Sequence, residues 1–175
     1  MKRSLVLATV ILLAVSLVSA QEMVNPNMPY VSLRDSPGYI TINEFNTGVG
    51  LGVTSVPYSK FFFGINTIHG YQINESFVVG GGTGVSFYND GTLVPLFIDV
   101  RYRFLVNKFT PFLIGDAGLL FGGGETRLFV NGGGGIRYAL NDKFSIHFGS
   151  GLWIQNGNTR DSFINFKFGL TYKPR

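Results

Sequence analysis

The chain has 175 residues, no cysteine, 14% charged and 15% aromatic residues, and a formal net charge of +4. Without cysteine, neither disulfides nor a thiolate metal site can hold it together. Fourteen basic residues less Lys2 and Arg3 leave twelve against ten acidic ones, a balance that does not imply a nucleic-acid surface.

Residues 1–20 have the form of a secretory signal peptide. Lys2 and Arg3 supply the positive start, Leu5 to Val18 the apolar stretch, and Val18-Ser19-Ala20 a small-residue cleavage site. The mature chain is expected to begin at Gln21, and no Cys follows to carry a lipid anchor. Residues 21–37 hold three prolines and read as an N-terminal periplasmic tail. No later segment approaches about 18 consecutive apolar residues, so a chain spanning a membrane would do so with strands.

Residues 38–175 alternate between two kinds of side chain in eight runs, the signature of β-strands whose successive residues face opposite ways. The first run, Gly38 to Val53, sets Tyr39, Thr41, Phe45, Val49 and Leu51 against Glu44, Asn46 and three glycines. The second, Phe61 to Ile73, sets Phe61, Phe63, Ile65 and Tyr71 against Gly64, Asn66, Gly70 and Gln72. In the third, Phe77, Val79, Thr83, Val85 and Phe87 oppose Gly80, Gly82, Gly84 and Ser86. The fourth alternates Leu96, Ile98, Val100, Tyr102 and Phe104 with Phe97, Asp99, Arg101 and Arg103. The fifth opposes Leu113, Ala117, Leu119 and Phe121 to Ile114, Asp116 and Gly118. The sixth opposes Leu128, Val130, Ile136, Tyr138 and Leu140 to Asn131, Gly133, Gly135 and Arg137. The seventh sets Phe144, Ile146, Phe148, Leu152 and Ile154 against Ser145, His147, Gly149, Gly151 and Gln155. The eighth sets Ile164, Phe166, Phe168, Leu170 and Tyr172 against Asn165, Lys167, Gly169 and Thr171.

A longer beat gives the connectivity. Tyr71-Gln-Ile-Asn-Glu-Ser-Phe77, Phe104-Leu-Val-Asn-Lys-Phe109 and Tyr138-Ala-Leu-Asn-Asp-Lys-Phe144 vary one phrase. Its aromatic positions 71, 104, 138 and 172 lie 33, 34 and 34 residues apart, one hairpin per period. The opposite connections are expected at Thr54 to Lys60, Asn89 to Thr92, Gly122 to Arg127 and Asn156 to Ser162. Asn156-Gly-Asn-Thr-Arg-Asp161 is the best candidate there for a partner contact.

Alternation alone leaves two orientations. A soluble lipocalin-like barrel turns its apolar face inward, and a membrane barrel turns it outward. Three features favour the membrane. The polar face is rich in Gly and Ser and poor in Lys and Glu, as a narrow lumen requires. Aromatic residues gather near strand ends: Phe61, Tyr71, Phe77, Phe87, Tyr102, Phe104, Tyr138, Phe144 and Tyr172 form an expected girdle. Strands of about ten or more residues suit the hydrocarbon thickness. The expected fold is all-β, an eight-stranded antiparallel up-and-down transmembrane β-barrel.

Parity assigns Glu44, Asp99, Arg101, Arg103, Asp116, Arg137, His147 and Lys167 to the lumen. They suit an ion-pair network filling the barrel, and alternatively a selectivity ring for a small solute. Turn register places Arg137 opposite His147, and the closing seam places Lys167 near Glu44. Catalysis is not expected. His147 shares the inward face with Ser145, where a lipase nucleophile would not meet lipid, and His69 falls outward near the girdle. The Gly80–Gly82 and Gly132–Gly135 runs lie inside strands and lack the helix of a phosphate loop. No cofactor and no metal site is expected.

From Gly38 to Tyr172 the chain resembles the small outer-membrane β-barrel family that includes OmpA-type transmembrane domains and OmpX-type barrels. The resemblance rests on the eight alternating strands, the signal peptide, the short turns and the aromatic-x-aliphatic-Asn phrase. It implies an antiparallel barrel inserted by the outer-membrane assembly machinery, with lumenal salt bridges; the chain is expected in the cell outer membrane, surrounded by outer-membrane lipid and monomeric. Such chains commonly end on an aromatic residue, whereas Lys173-Pro174-Arg175 follow Tyr172 here. The expected role is structural or surface-interacting, with a narrow porin or transport barrel for small or hydrophobic solutes as the alternative.

Overall fold

The computed structural model describes residues 37–52, 58–104, 108–157 and 160–174. The expected signal peptide and all of the expected tail except Pro37 lie outside the described residues. Eight strands follow in order: β1 (Gly38–Gly50), β2 (Phe61–Gln72), β3 (Phe77–Tyr88), β4 (Gly91–Arg103), β5 (Phe109–Gly122), β6 (Glu125–Ala139), β7 (Phe144–Asn156) and β8 (Arg160–Tyr172). Each pairs antiparallel with the next, and β8 returns to β1 to close a barrel. The closing seam sets Thr41 opposite Tyr172 and Val49 opposite Ile164. Closure leaves no strand edge with unpaired backbone groups.

The repeated phrase works through its asparagine. Asn74 Oδ1 accepts from the amides of Ser76 (2.9 Å) and Phe77 (2.8 Å). Asn141 Oδ1 accepts in the same way from Lys143 (2.9 Å) and Phe144 (2.8 Å). Each Asn caps its reversal with bonds the turning backbone cannot make to itself. The third copy's Asn107 lies outside the described residues.

At the opposite end the connections are tighter than expected. Two residues, Asn89 and Asp90, join β3 to β4, with Tyr88 opposite Gly91. Gly123 and Gly124 alone join β5 to β6, with φ of +62° and +77°. Two consecutive left-handed residues match the twist of a hairpin, so the ladder continues to the Gly122–Glu125 pair. Arg127, read as a loop residue, is therefore a strand residue with a buried side chain, and so is Asp161, because β8 already starts at Arg160. Asp161 is thereby withdrawn from the partner contact expected at Asn156–Asp161. In the other direction β1 ends at Gly50, short of Val53, which lies outside the described residues.

The core is the lumen. Ile98 is 61% exposed and Phe168 55%, while Arg101 and Lys167 are 4% and 3% exposed. The apolar face looks outward and the polar face inward.

Candidate functional site in the barrel lumen

The lumen is layered. Its central layer joins β1, β4, β5, β7 and β8 through charges. Arg101 is the hub: Nη2 donates to Glu44 Oε1 (2.5 Å) and to Asp99 Oδ2 (2.9 Å), and Nε donates to Asp99 Oδ1 (2.9 Å). His147 Nε2 lies 2.7 Å from Glu44 Oε1 and 3.3 Å from Arg101 Nη1. Lys167 Nζ donates to Asp116 Oδ2 at 2.5 Å and sits 3.6 Å from Glu44 Oε2, an ion pair longer than a hydrogen bond. Asn131 Nδ2 donates to the same Asp116 oxygen at 2.7 Å. Strand parity aims all these groups inward, and the barrel's curvature brings together strands that are not neighbours. Gly169, opposite His147 across β7 and β8, makes room for the imidazole, because a Cβ there would overlap the ring.

Arg103 and Arg137 stand apart from this hub. They line a small cup at the turn-side mouth with Gln72, Lys143, Ser145 and Lys173. Arg137 lies opposite His147 across β6 and β7, but its Nε donates to Ser145 Oγ (2.9 Å). Lys167 faces Asn46 in the closing seam, and its long side chain still reaches Glu44.

The loop-side half differs from the Gly- and Ser-rich lumen expected. Phe62, Phe129, Trp153 and Phe163 fill it, each at most 1% exposed, with Leu93 and Leu120. Phe129 stacks on Trp153 with centroids 4.1 Å apart and planes 9° apart. Phe62 touches Trp153 and Phe163, both at 5.3 Å between centroids. Such pairs add about 0.5–1.5 kcal/mol each beyond the area they bury. Above them Arg127 lies 3.1 Å from Glu125, 3.5 Å from Asp161 and 4.6 Å over the Tyr58 ring. Tyr88 donates to Gln155 Oε1 (3.1 Å), and Gln155 Nε2 donates to the Tyr58 carbonyl (3.1 Å). The strand parity of β6 would have placed Arg127 inside had its strand been started at Glu125, three residues after Gly122.

On the outside, Phe61, Tyr71, Phe87, Tyr102, Phe104 and Tyr172 are exposed, and Phe77, Tyr138 and Phe144 are half-buried. Tyr102 packs on Phe104 along the same run at 5.3 Å, and Phe144 pairs across β7 and β8 with Tyr172 at 5.0 Å. Phe109, which closes one copy of the repeated phrase and was not among the expected girdle residues, joins them against Tyr138 at 4.6 Å. His69 is exposed on this face and hydrogen-bonds to the Tyr39 hydroxyl through Nδ1. Among the described residues no group of three or more His, Cys, Asp or Glu side chains is arranged to hold a metal ion.

Neisserial surface protein A superposes with a TM-score of 0.57 at 16% identity, over 79% of this chain and 99% of that one. The chain has the fold of the small eight-stranded outer-membrane barrels. The attachment invasion locus protein of Yersinia pestis also matches this barrel fold, at 12% identity over 78% and 99% of the two chains, TM-score 0.49. So does a de novo designed transmembrane β-barrel, at 12% over 79% and 98%, TM-score 0.48. No family model and no curated protein matches the chain.

Proposed function

We propose that the protein is an outer-membrane barrel, exported through a cleaved signal peptide and folded by the barrel assembly machinery, whose lumen is closed by its own side chains. Its role on this reading is structural or surface-interacting, not transport. One observation carries the proposal: an apolar belt covers the outside while a salt-bridged hub and an aromatic plug share the inside. A protein dissolved in water does not expose Ile65, Leu96, Ile98 and Phe168 around its circumference. Acyl chains accept that belt, and they demand the closed backbone ladder that the barrel provides.

Closure of the lumen is supported from both ends. An eight-stranded barrel leaves an interior just wide enough for side chains. The ionic hub spans the middle, and four large rings span the loop-side half. The experiment is conductance of the refolded chain in planar bilayers, with folding checked by the faster migration of the unboiled barrel on a detergent gel. The expected result is a heat-modifiable band with no steady channel current. Steady unitary currents would replace the closed barrel with a transport barrel. Equal mobility before and after boiling would remove the membrane barrel altogether.

A further inference from the structure

The outer belt is interrupted on one side. Two consecutive cross-strand rows on β1, β2 and β3 carry polar or minimal side chains. Thr41, His69 and Gly81 form one row, and Asn43, Thr67 and Thr83 the next. All six have outward parity; Asn43, His69, Gly81 and Thr83 are exposed, and Thr41 and Thr67 are half-buried. The rows end abruptly at apolar neighbours. On β4 they continue as Ile98 and Leu96, and on β8 as Tyr172 and Leu170.

Depth matters here. Asn43 lies four residues along β1 from Tyr39, which faces Tyr71 of the turn-side girdle. Four residues are roughly 13 Å of strand, or roughly 10 Å of depth at the usual barrel tilt. A headgroup at the girdle does not reach that far, and acyl chains offer no hydrogen-bonding partner.

The patch satisfies part of itself. Tyr39 bridges His69 and Thr41, and Thr83 Oγ1 donates to the Pro95 carbonyl (2.9 Å). Among the described residues no hydrogen bond engages the Asn43 amide or the Thr67 hydroxyl. A bare amide in hydrocarbon is strongly unfavourable, and polar groups at such positions mark contacts.

We propose that these two rows are the contact face of a parallel dimer of this chain. The inference rests on the reading that the outer face meets lipid, and it replaces the monomer expected from the sequence. A second copy fits for three reasons. An amide both donates and accepts, as does a hydroxyl, so the patch is complementary to itself, which a twofold contact requires. Gly81 and the threonines are low in relief and allow close approach, the usual feature of interfaces within membranes. Copies inserted in one direction hold Asn43 at one depth, so a twofold axis along the membrane normal sets each row against its own counterpart.

The absence of cysteine from the chain makes the test direct. Thr67→Cys, and Ile136→Cys on the far side of the barrel, are refolded separately into dilute phosphatidylcholine vesicles. Each is treated with a short lipid-soluble bis-maleimide, and folding is verified by gel mobility. The proposal expects a covalent dimer from Thr67→Cys and almost none from Ile136→Cys. Adding Asn43→Leu to Thr67→Cys is expected to cut the dimer about tenfold, the effect of losing two reciprocal hydrogen bonds in lipid. Equal yields at the two positions, or no dimer at either, overturn the proposal. So does crosslinking of Thr67→Cys in native membranes to a species of another mass, which assigns the face to a different protein. A membrane-impermeant maleimide separates the two layers of the argument. Protection of both cysteines without a dimer defeats the dimer alone, whereas labelling of both defeats the lipid-facing reading.

Discussion

Replacing Arg101 by methionine removes the centre of the lumenal network while keeping much of its volume. The guanidinium makes three short bonds to carboxylates, of 2.5, 2.9 and 2.9 Å. Its side chain is 5% exposed, and those of Glu44 and Asp99 are 0% exposed. Water therefore cannot take over when the cation is gone. Three carboxylates remain in the layer, with Lys167 as the one cationic side chain beside His147. Breaking a buried pair from one side costs about 3–5 kcal/mol, because the surviving charge is left uncompensated. At about 1–3 kcal/mol per molar urea, the unfolding midpoint in vesicles should fall by roughly 1–5 M. The triple variant Glu44→Gln, Asp99→Asn, Arg101→Met should recover much of the loss, since it leaves no orphan charge at the hub. Arg127→Met at the loop-side mouth should cost less, because its nearer partner Glu125 is 34% exposed and its contact with the buried Asp161 is longer, at 3.5 Å. A loss below about 1 kcal/mol for Arg101→Met, or a triple variant no better than the single, would refute the reasoning.

Trp153→Ala should cost about 3–5 kcal/mol and, by removing the ring stacked on Phe129, should raise transient currents in planar bilayers above those of the parent. Gly169→Val forces a branched side chain into the space of the His147 ring, so a loss of about 1–3 kcal/mol in vesicle unfolding is expected. A neutral result would mean that the imidazole does not need its place beside Glu44. Ile98→Arg puts a charge on the outer belt and should cost about 2–4 kcal/mol in the same assay. Unchanged stability would count against a lipid contact at that strand.

Alternation along β4 was enough to aim Asp99, Arg101 and Arg103 inward, because apolar and charged residues take turns there from Ile98 to Arg103. The asparagine of the repeated phrase likewise located the turn at Asn141 before any backbone bond was known. The buried aromatic cluster was hidden for a physical reason. Phe62 lies between Phe61 and Phe63, Phe129 between Leu128 and Val130, and Trp153 between Leu152 and Ile154. Where both faces of a strand are apolar the period of two vanishes, and an inward ring cannot be told from an outward one. Arg127 was lost to a boundary error, since a Gly-Gly pair reads as a loop until its two left-handed φ values make it a hairpin turn, and Asp161 was lost because the polar run Asn156–Asp161 reads as loop although β8 starts at Arg160.

Pairing was less legible than facing. Register rules join neighbouring strands, and they brought Arg137 to His147. The hub instead joins β1 to β4 through Glu44 and Arg101, and β5 to β8 through Asp116 and Lys167. Those contacts cross the lumen, so they depend on barrel diameter and side-chain length, which no linear spacing encodes. The polar rows on β1 to β3 were visible in part. Thr41, His69 and Thr83 had outward parity from the start, but a row requires the register of three strands at once.

The chain holds a single tryptophan, and quenching by vesicles with brominated acyl chains tests the orientation of the whole barrel. Trp153 should keep most of its emission in such vesicles, because it is sealed within the lumen. In the variant Trp153→Phe, Ile98→Trp the emission should be largely quenched. Strong quenching of Trp153 together with an unquenched tryptophan at position 98 would contradict the account.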